Sequence, residues 1–285
     1  MISTEFLREL DRFSFAAQKR VSSQYAGGRR STRIGRGTDA YGFREYERGD
    51  DFRTIDWKVY ARTEKLYVRQ FEEHRDLVTH ILLDVSGSMN FPDEGLNKFE
   101  YAAMLAVGFA YLVMRENEKF TISTFTDDIA IFKPGRGKVN LLSSIDRLNS
   151  INPGGPTAFE DSIEQYSKVI HSKSRVIIIS DLLIPLEDIR PAIYRVGQND
   201  MIVIQVLDPS EIQLPEVGAV KLRDLETTEQ LFTDINTALV SEYTSELILH
   251  RDSIKTECDR LGADFFSFST DLPIFEAIYR TIHGR

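Results

Sequence analysis

The stretch "LVTHILLDVSGSMN", residues 77–90, decides the fold. Its first half, "LVTHILLD", is a strand with Ile81, Leu82 and Leu83 consecutive. Its second half breaks into small polar residues. Asp84, Ser86 and Ser88 occupy every second position, with Gly87 between the two serines. An apolar run that ends in a polar, glycine-containing loop marks the carboxyl end of a sheet strand, and in open α/β sheets ligands bind at that end.

Downstream, strands and helices alternate. "KFEYAAMLAVGFAYLVMRENE" reads as a helix that is apolar nearly all round and therefore buried. "KFTISTFT" and "IAIFKP" read as a hairpin around Asp127 and Asp128. "KVNLLSSIDRLNS" and "AFEDSIEQYSKVIHS" are helical, and "RVIIISD" and "DMIVIQVLD" are buried strands. "LEDIRPAIYRVGQ" is a helix despite Pro191. A second hairpin covers "AVKLRDLETTEQLFTDI". A long helix over 237–261, the strand "ADFFSFST" and the helix "LPIFEAIYRTI" follow. Near-continuous Val/Ile/Leu strands alternating with helices imply an α/β fold, a doubly wound, mostly parallel sheet covered on both faces.

Upstream, residues 3–20 carry Phe6, Leu10, Phe13 and Ala17 at helical spacing. Residues 19–38 hold six basic residues and no acid, which reads as a mobile basic loop or as an arm for an acidic partner through Arg29, Arg30, Arg33 and Arg36. Residues 41–76 mix charges with aromatics too densely for a linker, and "KLYVRQFEE" alternates like a strand. The charge divides at the same place: residues 1–76 carry +3, the remainder −12, of a total of −9. Two regions follow, 1–76 and 77–285, with the first expected to pack on the second as an N-terminal extension. The acidic remainder argues against nucleic acid as the main ligand.

The most apolar run, residues 101–114, is too short to span a bilayer, which takes about 20 residues, and reads as a core helix. The N-terminus has no apolar signal core. Cys258 is the single cysteine, so no internal disulfide forms. These features agree with a cytoplasmic protein.

Three oxygens at alternate positions of one loop can converge on a small hard cation. Mg2+ takes near-octahedral oxygen ligands at about 2.0–2.1 Å. Two hydroxyls and one carboxylate do not fill that shell. Two later loops belong to the same edge of such a sheet: Asp181 ends "RVIIISD", and Thr157 follows the Gly/Pro-rich "NPGGP" and precedes a helix.

This set, Asp84, Ser86, Ser88, Thr157 and Asp181, resembles the metal-ion-dependent adhesion site of von Willebrand factor A-type domains, whose sheet is Rossmann-like. The resemblance covers about residues 77–285. It implies Mg2+ or Mn2+ as the bound ion and a carboxylate of a partner protein as the ligand that completes its shell. The segment before it resembles the signature of a bacterial family, the domain of unknown function fifty-eight family: Arg44, Glu45, Tyr46, Gly49, Asp50, Asp51, Arg53, Ile55, Asp56, Trp57, Ala61 and Arg62 match. Members are commonly encoded beside MoxR-type AAA+ ATPases, which implies an ATPase-linked adaptor for assembly or activation of other proteins. The interleaved charges of this block read as an ion-pair network anchored by a buried Trp57. A catalytic pocket of Asp50, Asp56 and Arg53 is the alternative.

Two function classes follow. One is a non-catalytic, metal-dependent protein-binding module. The other is a magnesium-dependent hydrolase or phosphotransferase with Asp84 as nucleophile. The first is favoured: aspartyl-phosphate enzymes place a second Asp two residues on, where this chain has Ser86, and neither a P-loop nor a base beside Ser86 is evident.

Overall fold

The computed structural model describes residues 2–21, 34–47, 52, 55–72, 77–92, 95–215, 217–223, 225–226 and 230–284. The chain forms two compact units, one of residues 14–76 and a larger one of residues 1–13 and 77–285.

Helix α1 (Thr4–Val21) begins in the larger unit. The sequence grouped its first residues with the extension. Their apolar stripe explains the difference. Ile2, Phe6 and Leu10 are buried in the larger unit's core, and the Phe6 and Phe13 rings lie 5.8 and 5.4 Å from Phe275.

In the smaller unit, β1 (Ile34–Glu45), the short helix α2 (Trp57–Thr63) and β2 (Tyr67–Glu72) follow in order. The strands pair antiparallel, with register irregularities between Gly35 and Gly42. Residues 34–38, expected to be loop, are therefore strand. Ile55 bridges Val68, and both are buried. Trp57, expected to be a buried anchor, is 59% exposed and sits edge-on to Tyr60. Asp56 caps α2 by accepting from the Lys58 and Val59 N–H groups at 2.9 and 3.2 Å. That is the work of an N-cap aspartate, which satisfies donors a helix start leaves unpaired.

The larger unit continues with β3 (Val78–Asp84), α3 (Lys98–Arg115), β4 (Lys119–Phe125), β5 (Ile129–Ala130), α4 (Gly137–Ser150), α5 (Phe159–Ser167) and β6 (Arg175–Ser180). Then come α6 (Leu186–Val196), β7 (Asp200–Leu207), α7 (Pro209–Ile212), β8 (Gly218–Arg223), β9 (Gln230–Ile235), α8 (Thr237–Arg260), β10 (Asp264–Ser269) and α9 (Ile274–His283). Six strands form one sheet in the order β10-β7-β6-β3-β4-β5, parallel except where β5 turns back on β4. β8 and β9 form a separate antiparallel hairpin. The expected doubly wound, mostly parallel sheet is thus present.

The two-residue period of β3 divides the core. Ile81 and Leu83 face α1, α3, α4 and α9, through residues such as Leu10, Leu105, Leu148 and Ile278. Leu82 faces α5, α6 and α8, through Ile163, Ile193 and Ile254. Cys258 lies in this second layer, and burial pushes its thiol up to about 12, as befits an inert packed cysteine. No helix among the described residues is long and apolar enough to cross a membrane. After β3 the chain crosses to β4 on one side, and later returns to place β6 on the other. The carboxyl ends of β3 and β6 therefore flank the topological switch point, where such sheets open a crevice for ligands.

Two consequences are measurable. Leu10 is fully buried, so Leu10→Ala should cost about 2–5 kcal/mol in urea unfolding. A loss under 0.5 kcal/mol would show that α1 is not part of the core. His80 is buried in β3 with Nδ1 2.9 Å from the Tyr166 hydroxyl, and desolvation drops its pKa to about 4. Between the ordinary value near 6.5 and that lowered one, the unfolded chain binds more protons. His80 thus favours folding above pH 6.5, and this contribution fades as pH falls toward 4, by about 3 kcal/mol. His80→Gln should show a correspondingly shallower loss of stability between pH 7 and 4.5 than the wild type; identical slopes would contradict the assignment.

Candidate metal centre

Asp84 is the last residue of β3, and Asp181 directly follows β6. Register pairing of Leu83 with Ile179 brings the two strand ends side by side. Asp84 is fully buried. Its Oδ1 accepts the Ser86 N–H at 2.9 Å, and its Oδ2 accepts the Ser180 hydroxyl at 2.6 Å. Burial, with the Asp181 carboxylate close by, pushes Asp84 up to about 7; the Ser180 and Ser86 hydrogen bonds oppose the rise.

Ser86 and Ser88 flank the start of a short 3-10 turn, Gly87–Asn90. Their hydroxyls lie 3.1 Å apart. The loop carrying Thr157 lies directly on this turn: the Gly87 N–H donates to the Gly155 carbonyl at 2.8 Å, and the Gly154 N–H to the Val85 carbonyl at 3.0 Å. Thr157 is half-buried. Its N–H and hydroxyl both donate to Glu226, at 3.0 and 2.9 Å.

All five sequence candidates thus come from a strand end and loops at the carboxyl edge of one sheet. The donors there are two carboxylates and three hydroxyls, all oxygen, with no thiol or imidazole among them. Among the described residues no group of three or more His, Cys, Asp or Glu side chains gathers around a single point. The donor set suits a hard cation held largely by neutral oxygens. Two buried carboxylates on adjoining strand ends also repel one another, and positive charge at this edge relieves that repulsion.

Part of that charge is supplied by a residue the sequence reading passed over. Lys98, the first residue of α3, is fully buried. Its ammonium lies 2.7 Å from Asp181 Oδ2 and 2.6 Å from Glu211 Oε1. Burial alone would lower its pKa, yet Asp181 and Glu211 together raise it. Glu211 is itself held, since its Oε2 accepts the Asp208 N–H at 2.8 Å in a capping box at the start of α7. The signal was visible in the sequence: a lysine at the first position of an apolar helix opposes the helix dipole and needs another reason to be there.

Further contacts fix Asp181. The Gln205 amide donates to its carbonyl at 2.9 Å, and Leu183 N–H reaches its Oδ1 at 3.4 Å. Leu182 follows in the left-handed region, φ 51°, a conformation costly for a branched side chain. His250 Nε2 lies 2.7 Å from its carbonyl, and the Leu182 N–H donates to Ser180 Oγ at 3.1 Å.

Of the basic arm, Arg29, Arg30 and Arg33 lie outside the described residues. Arg36 falls in β1 and is described by backbone alone. In the signature block, Gly49, Asp50, Asp51 and Arg53 also lie outside the described residues; of the expected ion-pair network and catalytic alternative, Glu45 and Asp56 have described side chains, and Asp56 caps α2.

Comparison with known proteins gives the chain a family. Residues 42–253 match the family described as "Protein of unknown function DUF58". An uncharacterized protein of Mycobacterium tuberculosis (strain ATCC 25618 / H37Rv) is 27% identical over 255 residues, 88% of this chain and 80% of that one. Among solved structures, the conserved hypothetical protein BatB from Bacteroides thetaiotaomicron is similar with a TM-score of 0.44 and 16% identity, covering 73% of this chain and 98% of that one. Manganese-loaded Plasmodium vivax TRAP protein gives a TM-score of 0.39 and 18% identity, over 46% of this chain and 57% of that one.

The Lys98 triad can be probed directly. Lys98→Met leaves the buried Asp181 and the half-buried Glu211 without their cation, and the expected cost in urea unfolding is about 3–5 kcal/mol. A variant as stable as wild type would mean that the Lys98 ion pairs do not contribute to folding.

Proposed function

The chain belongs to the DUF58 family of proteins of unknown function, and we propose that within it this protein is a metal-dependent protein-binding module rather than an enzyme. One observation carries the reading. The Ser86 and Ser88 hydroxyls, 3.1 Å apart, stand beside two buried carboxylates at the carboxyl edge of the sheet. Ser86, Ser88 and Thr157 would hold Mg2+ or Mn2+ together with Asp84 and Asp181, directly or through water. Such an ion, held by mostly neutral oxygens, supplies an electrophilic point that accepts a carboxylate.

The chain's own residues do the rest. Asp84 fixes the serine loop through the Ser86 N–H and ties it to β6 through Ser180. Lys98 neutralises part of the charge of Asp181 and keeps its carboxylate oriented. The same geometry weighs against the hydrolase alternative. Both Asp84 oxygens already accept hydrogen bonds, and the residue is fully buried, which is poor placement for a nucleophile.

The partner proposed is a cytoplasmic protein that offers an Asp or Glu, namely a MoxR-type AAA+ ATPase or its client, with the chain acting as adaptor. This part rests on the family resemblance of the signature block.

Titration calorimetry tests the metal. Mg2+ should bind wild type and lose at least tenfold in affinity in Asp84→Ala and in Ser88→Ala, the second keeping the buried charges intact. Equal binding by all three would end the assignment. For the partner, recovery of a purified MoxR-type ATPase should fall in EDTA and with Asp181→Ala. If EDTA has no effect, and recovery falls instead with salt or when Arg29, Arg30, Arg33 and Arg36 become Ser, the basic arm does the gripping.

A further inference from the structure

The contact that the metal reading leaves unused is the one on Thr157. Glu226 lies in the turn between β8 and β9, well outside the central sheet. Its two oxygens take two different donors of one residue: Oε2 accepts the Thr157 N–H at 3.0 Å and Oε1 accepts the Thr157 hydroxyl at 2.9 Å. The neighbouring Leu225 presses on the other half of the site. Its carbonyl oxygen approaches Gly87 so closely that a Cβ there would stand 2.5 Å from it, which is why only glycine fits between Ser86 and Ser88. Residues 225 and 226 therefore lie on both loops that present the candidate ligands.

We propose that this turn is a tethered occupant of the metal edge, with Glu226 standing where an acidic side chain from outside would dock. The inference deepens the metal-docking reading above and rests on it. Three features support it. The group delivered is a carboxylate, the same chemistry that an ion held by hydroxyls accepts. It is delivered by a two-stranded hairpin that, among the described residues, pairs with no strand of the six-stranded sheet, so its departure leaves the core strands paired. It also commits the Thr157 hydroxyl as a donor, and its charge repels a second carboxylate arriving at the same place. An external acidic residue must therefore displace Glu226, and the affinity of the edge is set by that competition. A cap that merely stabilised the Thr157 loop would change thermal stability and leave ligand affinity alone.

The experiment uses the full chain, Mn2+ as a paramagnetic probe of the cation, and glutarate as a carboxylate probe. Water-proton relaxation of bound Mn2+ is followed as glutarate is added to wild type, Glu226→Ala and Glu226→Gln. The half-saturating glutarate concentration should drop at least tenfold in Glu226→Ala. It should drop by less in Glu226→Gln, whose amide keeps one acceptor without the charge. Equal Mn2+ binding with the same glutarate midpoint in all three proteins would overturn the tethered-occupant inference and leave the metal reading standing. Failure of wild type to bind Mn2+ above the level of Ser88→Ala would overturn both.

Discussion

Two carboxylates end adjoining strands in the interior of this protein, and the rest of the site is arranged around that fact. Asp84 and Asp181 are both almost completely removed from water. A buried carboxylate is costly unless it is paired or hydrogen-bonded. The two are treated differently. Asp84 is surrounded by dipoles, the Ser86 N–H and the Ser180 hydroxyl, while Asp181 is given a full charge, Lys98. The two carboxylates are thus set apart by their surroundings rather than by their chemistry, one held by dipoles and the other by a cation. The asymmetry leaves Asp84 as the group with most to gain from an added cation.

The fold was legible because it follows from periodicity. "HILLD" and "RVIIISD" each run apolar through the sheet and stop at an acid, and parallel pairing then places those acids together. The spacing of Asp84, Ser86 and Ser88 could be read for the same reason: all three lie within five residues at one strand end, and local geometry alone brings them together. Thr157 could be placed because a loop before a helix, in a doubly wound sheet, returns to the same edge.

What escaped the sequence were the partners that depend on where a distant element lands. Lys98 meets Glu211 across 113 positions, and Thr157 meets Glu226 across 69. No spacing rule reaches that far. β1 was missed because its sequence, "IGRGTDAYGFRE", lacks an apolar alternation, and three glycines disguise it as loop. Its pairing is carried by the backbone and by β2, whose pattern was clear. The signature block shows a different failure. Its Asp56 is a helix cap and its Trp57 lies largely in solvent, so an anchoring role assigned from residue type alone was wrong for Trp57.

Helix α8 leaves the β8–β9 hairpin at once, with Asn236 as its cap. Along its length Tyr243 donates to the Glu211 carbonyl at 2.8 Å, and His250 meets the Leu182 carbonyl. This 24-residue helix therefore follows β9, the strand after the turn bearing Glu226, and is hydrogen-bonded to the segment bearing Lys98's acceptor and to the backbone just beyond Asp181. A single helix thus ties together pieces of chain that lie far apart in sequence around the candidate site.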